Sequence, residues 1–458
     1  MSEIRIGAAV ILAAGEGSRM KSAMAKPLHA VGGLSLLAHA LRAAEAIHPA
    51  ELAVVVGAGG EAVSVAARKE REDATIAEQT DRLGTAHAVL AARETLARAE
   101  GDAVVLYADT PFIRPETLRA MAEARAKGAD IVVLGFVAET PGGYGRLVVA
   151  NGALEAIVEA KDASEEMRAI NLCNSGVMIA GAANMLDWLS AVGNDNAKGE
   201  YYLTDIVAIA RAKGFSAAVV ECEEAETLGV NSRADLAAAE AAFQARARTR
   251  AMAEGATLIA PDTVWFSHDT VLGRDVTVEP NVIFAPGVTV ADGAVIRGHS
   301  HLEGCTVASG AIIGPFARLR PGADIGPKAR IGNFVEVKNA TFAEGAKANH
   351  LAYVGDAAVG AGANMGAGVI TANYDGVFKY PTTVGEGAFV GSNSTLIAPV
   401  IIGEGAYIAG GSVVAADVTS GALAVGRSPL VEKPGIGARL RSKLLAMKKA
   451  GQKKKGAL

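Results

Sequence analysis

This sequence of 458 residues predicts a doubly wound α/β domain, one long connecting helix and a parallel β-helix, and three observations carry that prediction. Apolar strand-like runs alternate with helical patterns through the first half. Glycine and proline then rise together: 22 glycines and 5 prolines stand up to position 254, against 31 and 10 in the remaining 204 residues. Beyond that point aliphatic residues recur every six positions, the mark of a solenoid whose short strands bury each other's apolar faces. At roughly 150 residues per domain the length allows two to three domains.

The first strand is read at Ile6–Leu12, followed by Leu52–Val56, Ala103–Tyr107 and Ile131–Val137. Helical patterns lie between them at about 34–47, 85–99 and 115–127. Such alternation builds a mostly parallel sheet with helices on both faces. This domain is assigned to residues 1–231. Residues 232–254 form the connecting helix: Arg233 to Glu254 holds ten alanines and no Gly or Pro, with Asn231 or Ser232 as the cap. Its arginines leave no wide apolar stripe. Residues 255–458 form the β-helix, with Leu272, Val278, Phe284, Val290, Ile296 and Leu302 in phase. After a one-residue slip the period continues from Ile313 to Ile331, and again from Val359 to Ile408. The segment Thr371–Thr383 breaks it, and irregular loops on rigid scaffolds are where binding chemistry concentrates.

Half the residues are hydrophobic, a fifth are charged and the formal net charge is −5, which excludes a disordered chain and argues against nucleic acid as a partner. Three sparse cysteines without CxxC spacing point to a reducing, cytoplasmic setting. The apolar start has no basic flank, and no run of about 18 apolar residues occurs, so neither secretion nor a membrane is expected.

After the first strand comes Leu12-Ala13-Ala14-Gly15-Glu16-Gly17-Ser18-Arg19-Met20, with Lys26-Pro27 downstream. Glycine lets backbone N–H groups approach phosphate, and Arg19 and Lys26 can neutralise a triphosphate. A G-x-G here also serves as a plain strand-to-helix turn, and it is neither a dinucleotide fingerprint nor a Walker loop. Asp109 follows an apolar strand, where ligands of open α/β sheets bind and where a carboxylate is either a magnesium ligand or a helix cap. Asn231 can add a second oxygen.

The nonapeptide with Lys26 resembles the signature of sugar nucleotidyltransferases. Along nearly its whole length the chain resembles the bacterial bifunctional N-acetylglucosamine-1-phosphate uridylyltransferases / glucosamine-1-phosphate N-acetyltransferases. The resemblance implies a Rossmann-like nucleotidyltransferase domain and a left-handed β-helix of hexapeptide repeats. It places Leu12, Ala13, Ala14, Gly15 and Lys26 on nucleotide and phosphates, and Gln79, Gly84 and Thr85 on uracil. Tyr107, Gly145, Glu159, Asn174 and Asn231 surround N-acetylglucosamine, Ala108 belongs to the same uridylyl substrate site, and Asp109 with Asn231 holds Mg²⁺. Ala108 stands where the family usually has Gly, and Asp81-Arg82 replaces a common Glu-Gln.

Of eight histidines, His350 stands out, in Lys347-Ala348-Asn349-His350-Leu351-Ala352-Tyr353 shortly before the irregular loop. It is either a turn residue or the near-neutral base that a sugar amine needs to attack a thioester. The resemblance implies the base. It also implies that Arg320, Lys338, Tyr353 and Asn364 bind the phosphosugar, and that Ala367, Asn373, Tyr374, Ser392, Gly410 and Arg427 line the acetyl-CoA site. Gly410 replaces the more usual Ala. The basic tail from Arg439 to Lys455 either reaches over CoA or is a solvated, partly disordered terminus.

The expectation is therefore a homotrimeric enzyme of two sites acting on small molecules. Glucosamine 1-phosphate is acetylated by acetyl-CoA, and UMP then passes from UTP to the product, releasing pyrophosphate, in supply of peptidoglycan and lipopolysaccharide precursors. The rival is a single-activity sugar-nucleotide pyrophosphorylase with a regulatory or trimerising β-helix.

Overall fold

The computed structural model describes residues 6–455, with side chains through Lys449. Nine strands form the sheet of the first half: β1 (Ile6–Ala13), β2 (Glu51–Gly57), β3 (Thr75–Gln79), β4 (Asp102–Tyr107), β5 (Ile131–Val137), β6 (Arg146–Ala150), β7 (Ala153–Val158), β8 (Leu172–Gly181) and β9 (Ala217–Cys222). Their order is β9-β5-β8-β4-β1-β2-β3, with the β6–β7 hairpin attached to β8. Neighbours pair in parallel except at β8, which runs antiparallel to both β4 and β5. The sheet is thus mixed at that strand.

The central strand shows why the sequence reads as a continuous apolar run. Every residue of β1 is buried. Alternate side chains enter different cores: Ala8, Val10 and Leu12 join one, Ile6, Ala9, Ile11 and Ala13 the other. Three helical patterns fold as Leu36–Glu45, capped by the Ser35 hydroxyl, as Pro115–Ala126, and as a pair, Thr85–Ala91 and Arg93–Arg98, interrupted at Ala92.

The long helix spans Arg233–Ala253, and its cap is Ser232, in a reciprocal capping box with Asp235. A narrow stripe suffices to dock it. Ala239 is buried with Val31, Leu36, Phe112 and Val230, and Glu240 Oε2 accepts a 2.8 Å bond from Gly32 N. Gln244 bonds both backbone groups of Phe266, accepting at 2.8 Å and donating at 2.7 Å. The helix and the turns Val264–Thr270 and Phe284–Pro286 belong to the first of two compact units.

The second unit holds the β-helix. Two-residue strands stack in parallel on the following coil, as in Thr277–Val278, Val295–Ile296, Ile312–Ile313 and Arg330–Ile331. The second residue of each pair is buried, giving an interior column from Val278 to Ile331. The phase slip falls where Val307, also buried, follows Leu302 after five residues rather than six. Between strands Ile370–Ala372 and Thr382–Val384 a loop leaves the solenoid, closed by a bridge between Tyr374 and Lys379. The basic tail forms a helix, Ile436–Lys455, exposed through Lys449. Among the described residues no helix is long and apolar enough to cross a membrane.

Candidate active site

A cleft of about 270 Å³ opens at the carboxyl ends of β1 and β4. It is lined by Leu12, Ala13, Ala14, Gly15, Lys26, Gln79, Gly84, Thr85, Tyr107, Ala108 and Asp109, all named from the sequence, and by Pro27, Arg82, Ala88 and Glu200. Lys26 is the organising side chain. Buried to 9% exposure, its ammonium donates to Asp109 Oδ2 at 2.5 Å and to Asn231 Oδ1 at 3.1 Å.

Each partner is fixed by local backbone chemistry. Gly17 has φ +63°, and a Cβ there would stand 2.6 Å from Lys26 Cβ, so glycine is required on both counts. Asp109 follows β4, with its carbonyl accepting from Val230 N at 2.8 Å. That bond brings Asn231 to the cleft. The Asp235 carboxylate then holds the Asn231 and Ser232 amides at 3.0 and 2.9 Å. Ala108 is 1% exposed within the apolar core, so its methyl, the departure from glycine, packs inward.

Asp109 and Asn231 present two hard oxygens to one point, which the Lys26 ammonium occupies. Among the described residues no cluster of three or more His, Cys, Asp or Glu could hold a metal. Two protein oxygens with the rest supplied by phosphates and water is the coordination magnesium prefers, so the donor set fits that ion.

On the wall formed by Gln79–Thr85, buried Gln79 donates to Gly84 O at 3.1 Å and faces His87 Nδ1 at 3.3 Å. Gly84 has φ +121° and lies against the Tyr201 backbone, while Thr85 Oγ1 accepts from Leu203 N at 2.9 Å. Arg82 ion-pairs with Glu16 and so joins the first loop to this segment. The Asp81-Arg82 departure therefore puts a new cation at the cleft wall. Arg19 is exposed on the turn Ser18–Met20 and does not line the cleft.

Gly145, Glu159 and Asn174 gather beyond Tyr107. Asn174 N donates to Gly145 O at 2.8 Å, and a Cβ on Gly145 would lie 3.6 Å from both Asn174 Cβ and Glu159 Oε1. Burial, then the Asp109 and Glu159 charges, push the Tyr107 hydroxyl upward, so it stays a neutral phenol. Burial likewise raises Glu159, opposed by its hydrogen bond from Thr204 Oγ1 at 3.2 Å. Thr204 and Glu200 were not foreseen, since no motif marks them.

In the second unit, His350 pairs in register with Asn333 on the preceding coil, and Nδ1 lies 2.5 Å from Asn333 Oδ1. With Asn333 Oδ1 as the acceptor, the proton sits on Nδ1 and Nε2 is left to accept one. Arg320 is held by Glu336 at 2.8 Å, and Tyr353 stands one coil above Glu336. Lys338 is depressed by contact with Lys379, then by repulsion from Lys379 and Arg320. Lys379, from the irregular loop, and Arg320 thus both lie close enough to Lys338 to repel it, Arg320 being itself paired with Glu336; no sequence motif marks Lys379. Asn373 bonds Asp356, which Asn339 also holds at 2.6 Å, whereas Tyr374 is exposed. Asn364 lies on the next coil above Lys347. One edge of the solenoid stacks Ala367, Ser392, Gly410 and Arg427: Asn393 N donates to Ala367 O and Gly411 N to Ser392 O, each at 2.8 Å, and Arg427 bonds Gly410 O.

Residues 9–174 match the family described as MobA-like NTP transferase domain, and residues 381–416 match bacterial transferase hexapeptide (six repeats). The bifunctional protein GlmU of Dinoroseobacter shibae is 56% identical over 443 residues, covering 97% of this chain and 98% of that protein. Its counterpart from Roseobacter denitrificans is 53% identical over 447 residues, covering 98% of this chain and 99% of its own. That from Cereibacter sphaeroides is 56% identical over 444 residues, with 97% and 98% covered. With half its residues shared over almost the full length of each relative, the chain belongs to the family of the bifunctional protein GlmU.

Proposed function

We propose that each constellation serves one of two reactions that together make UDP-N-acetylglucosamine. The enzyme acetylates glucosamine 1-phosphate from acetyl-CoA and transfers UMP from UTP to the resulting N-acetylglucosamine 1-phosphate, a precursor step of cell-wall synthesis. The observation that carries this reading is that one chain holds both a Lys26–Asp109–Asn231 cluster in a cleft at the strand ends and a His350–Asn333 pair on the coils that also carry Lys338 and Tyr353.

In uridylyl transfer a phosphate oxygen of the sugar phosphate attacks the α-phosphorus of UTP, and the bond to the β-phosphate oxygen breaks to release pyrophosphate. Positioning and charge neutralisation suffice for such chemistry, without a protein nucleophile. Lys26 neutralises phosphate charge, the Leu12–Gly15 backbone cradles phosphates, and Gln79, Gly84 and Thr85 read the base. Glu159, Asn174, Gly145 and Tyr107 hold the sugar. Mg²⁺, when bound between Asp109 and Asn231, supplies further neutralisation of the triphosphate. Arg19, exposed in this structure and not lining the cleft, is assigned to phosphates only by its charge and its place in the turn after the first strand.

In acetyl transfer the amine of glucosamine 1-phosphate forms a bond to the thioester carbonyl carbon while its proton goes to His350 Nε2, and the carbon–sulfur bond breaks to release CoA. Arg320 and Lys338 bind the sugar phosphate, Tyr353 and Asn364 the sugar, and Ala367, Asn373, Tyr374, Ser392, Gly410 and Arg427 the acetyl-CoA. We assign the protein to the cytoplasm and to a homotrimer built on the β-helix. A coupled assay of glucosamine 1-phosphate, acetyl-CoA and UTP tests the whole reading: production of both CoA and pyrophosphate supports it, and pyrophosphate release only when N-acetylglucosamine 1-phosphate is supplied directly favours a single-activity pyrophosphorylase.

A further inference from the structure

The first unit contains a second cleft, also about 270 Å³, that shares no lining residue with the uridylyl cleft. It lies between helix Leu36–Glu45, segment Pro111–Pro115 and helix Arg233–Ala253. Three guanidinium groups line it, from Arg42, Arg114 and Arg246, beside His39 and the Phe112 ring.

The three cations differ in how they are balanced. Arg114 is paired with Glu223 at 2.5 Å and with Glu226 at 3.6 Å. Among the described residues Arg42 reaches only Glu70, at 3.4 Å. Arg246 is half-buried and, among the described residues, has no carboxylate within ion-pair distance; its guanidinium lies 4.2 Å from the centre of the Phe112 ring. Burial and repulsion from Arg114 hold Arg246 below its ordinary value, outweighing the pull of Glu226 and Glu223. His39 adds no fixed charge, because burial and the nearby cations depress it, outweighing the hydrogen bond between its Nε2 and Val31 O at 2.9 Å. A half-buried cation without a counter-charge is costly, and a planar guanidinium is shaped to bind an oxyanion at two points.

We propose that this cleft binds a phosphate-bearing anion, held by Arg246 and Arg42 over the Phe112 edge. Phe112 lies three residues after Asp109, and the helix carrying Arg246 starts two residues after Asn231. Phe112, Val230 and Ala239 share one apolar cluster, and Val230 N bonds Asp109 O. An anion here therefore bears on the backbone that sets both oxygens of the uridylyl cleft. Only this coupling rests on the proposed function; the binding does not.

Inorganic phosphate and pyrophosphate are titrated separately by calorimetry into full-length protein carrying Lys26→Ala, which weakens anion binding in the uridylyl cleft. Phosphate or pyrophosphate binding is expected to persist, the tighter of the two identifying a mono- or diphosphate ligand. Adding Arg246→Gln should weaken it about tenfold or more, the weight of one charge-assisted hydrogen bond, and Arg246→Lys should recover part of the loss. Arg42→Gln, at an exposed position, gives the same direction without uncovering Phe112. Binding that vanishes with Lys26→Ala alone, or that neither Arg246→Gln nor Arg42→Gln weakens, overturns the proposal.

Discussion

The Lys26 ammonium lies 2.5 Å from Asp109 Oδ2, linking the loop after the first strand to the end of the fourth. Asp109→Asn keeps the shape and one oxygen but removes the charge. It should lower uridylyl transfer by roughly 10²- to 10³-fold, the scale of losing one preorganised electrostatic contact, and raise the metal concentration needed for half-maximal rate. Titrating Mg²⁺ against initial rates of pyrophosphate release checks this. A variant with unchanged metal dependence would remove Asp109 from the metal site.

Gly17→Ala tests how the lysine is placed. The added methyl would stand 2.6 Å from Lys26 Cβ, at a φ of +63° that L-residues avoid. Displacing Lys26 by even about 1 Å should cost on the order of 10²-fold in uridylyl transfer, with acetyl transfer retained. Separate assays of the two activities read this out, and equal loss of both would instead mean general misfolding.

His350→Ala should reduce acetyl transfer by roughly 10²- to 10⁴-fold, as expected for a general base. Asn333→Ala leaves the imidazole but frees its tautomer and orientation, so a smaller loss with an altered pH–rate profile is expected. An Asn333→Ala profile superimposable on the parent would reduce the 2.5 Å contact to packing.

Glu159 gives a pH signature. Burial raises its folded-state pKa above the unfolded value. Between those two values the native state binds more protons than the unfolded chain, so stability falls as pH rises through the raised pKa. Its contribution is fully present only below the unfolded pKa. Glu159→Gln removes this titration, and thermal midpoints across the acid-to-neutral range should fall less with rising pH than in the parent. Parallel curves would mean that Glu159 ionises freely.

Much of the architecture was legible because it is periodic. The continuous apolar run Ile6–Ala13, buried at every position, and the buried aliphatic or aromatic positions that recur from Val278 to Ile331 every six residues, one slip apart, are written directly in residue type. The cleft residues adjacent to strand ends, Gly15 and Asp109 among them, were legible for the same reason, since topology puts such positions together. Arg82, Glu200, Thr204 and Lys379 were not, because each meets its partner through long-range packing: Arg82 is 66 residues from Glu16 and Thr204 is 45 from Glu159. Nor does sequence periodicity reveal that an alanine stripe as narrow as Ala239, Ala247 and Ala251 is enough to bury one side of the long helix.

The central claim, two independent sites in one chain, is tested most directly by complementation. Full-length Asp109→Ala and His350→Ala proteins are assayed singly and mixed, with glucosamine 1-phosphate, acetyl-CoA and UTP supplied. Asp109→Ala alone should accumulate N-acetylglucosamine 1-phosphate, His350→Ala alone should make product only when that intermediate is added, and the mixture should produce UDP-N-acetylglucosamine from the starting substrates. Loss of both activities in either single variant, or a full conversion by either one alone, would contradict the account.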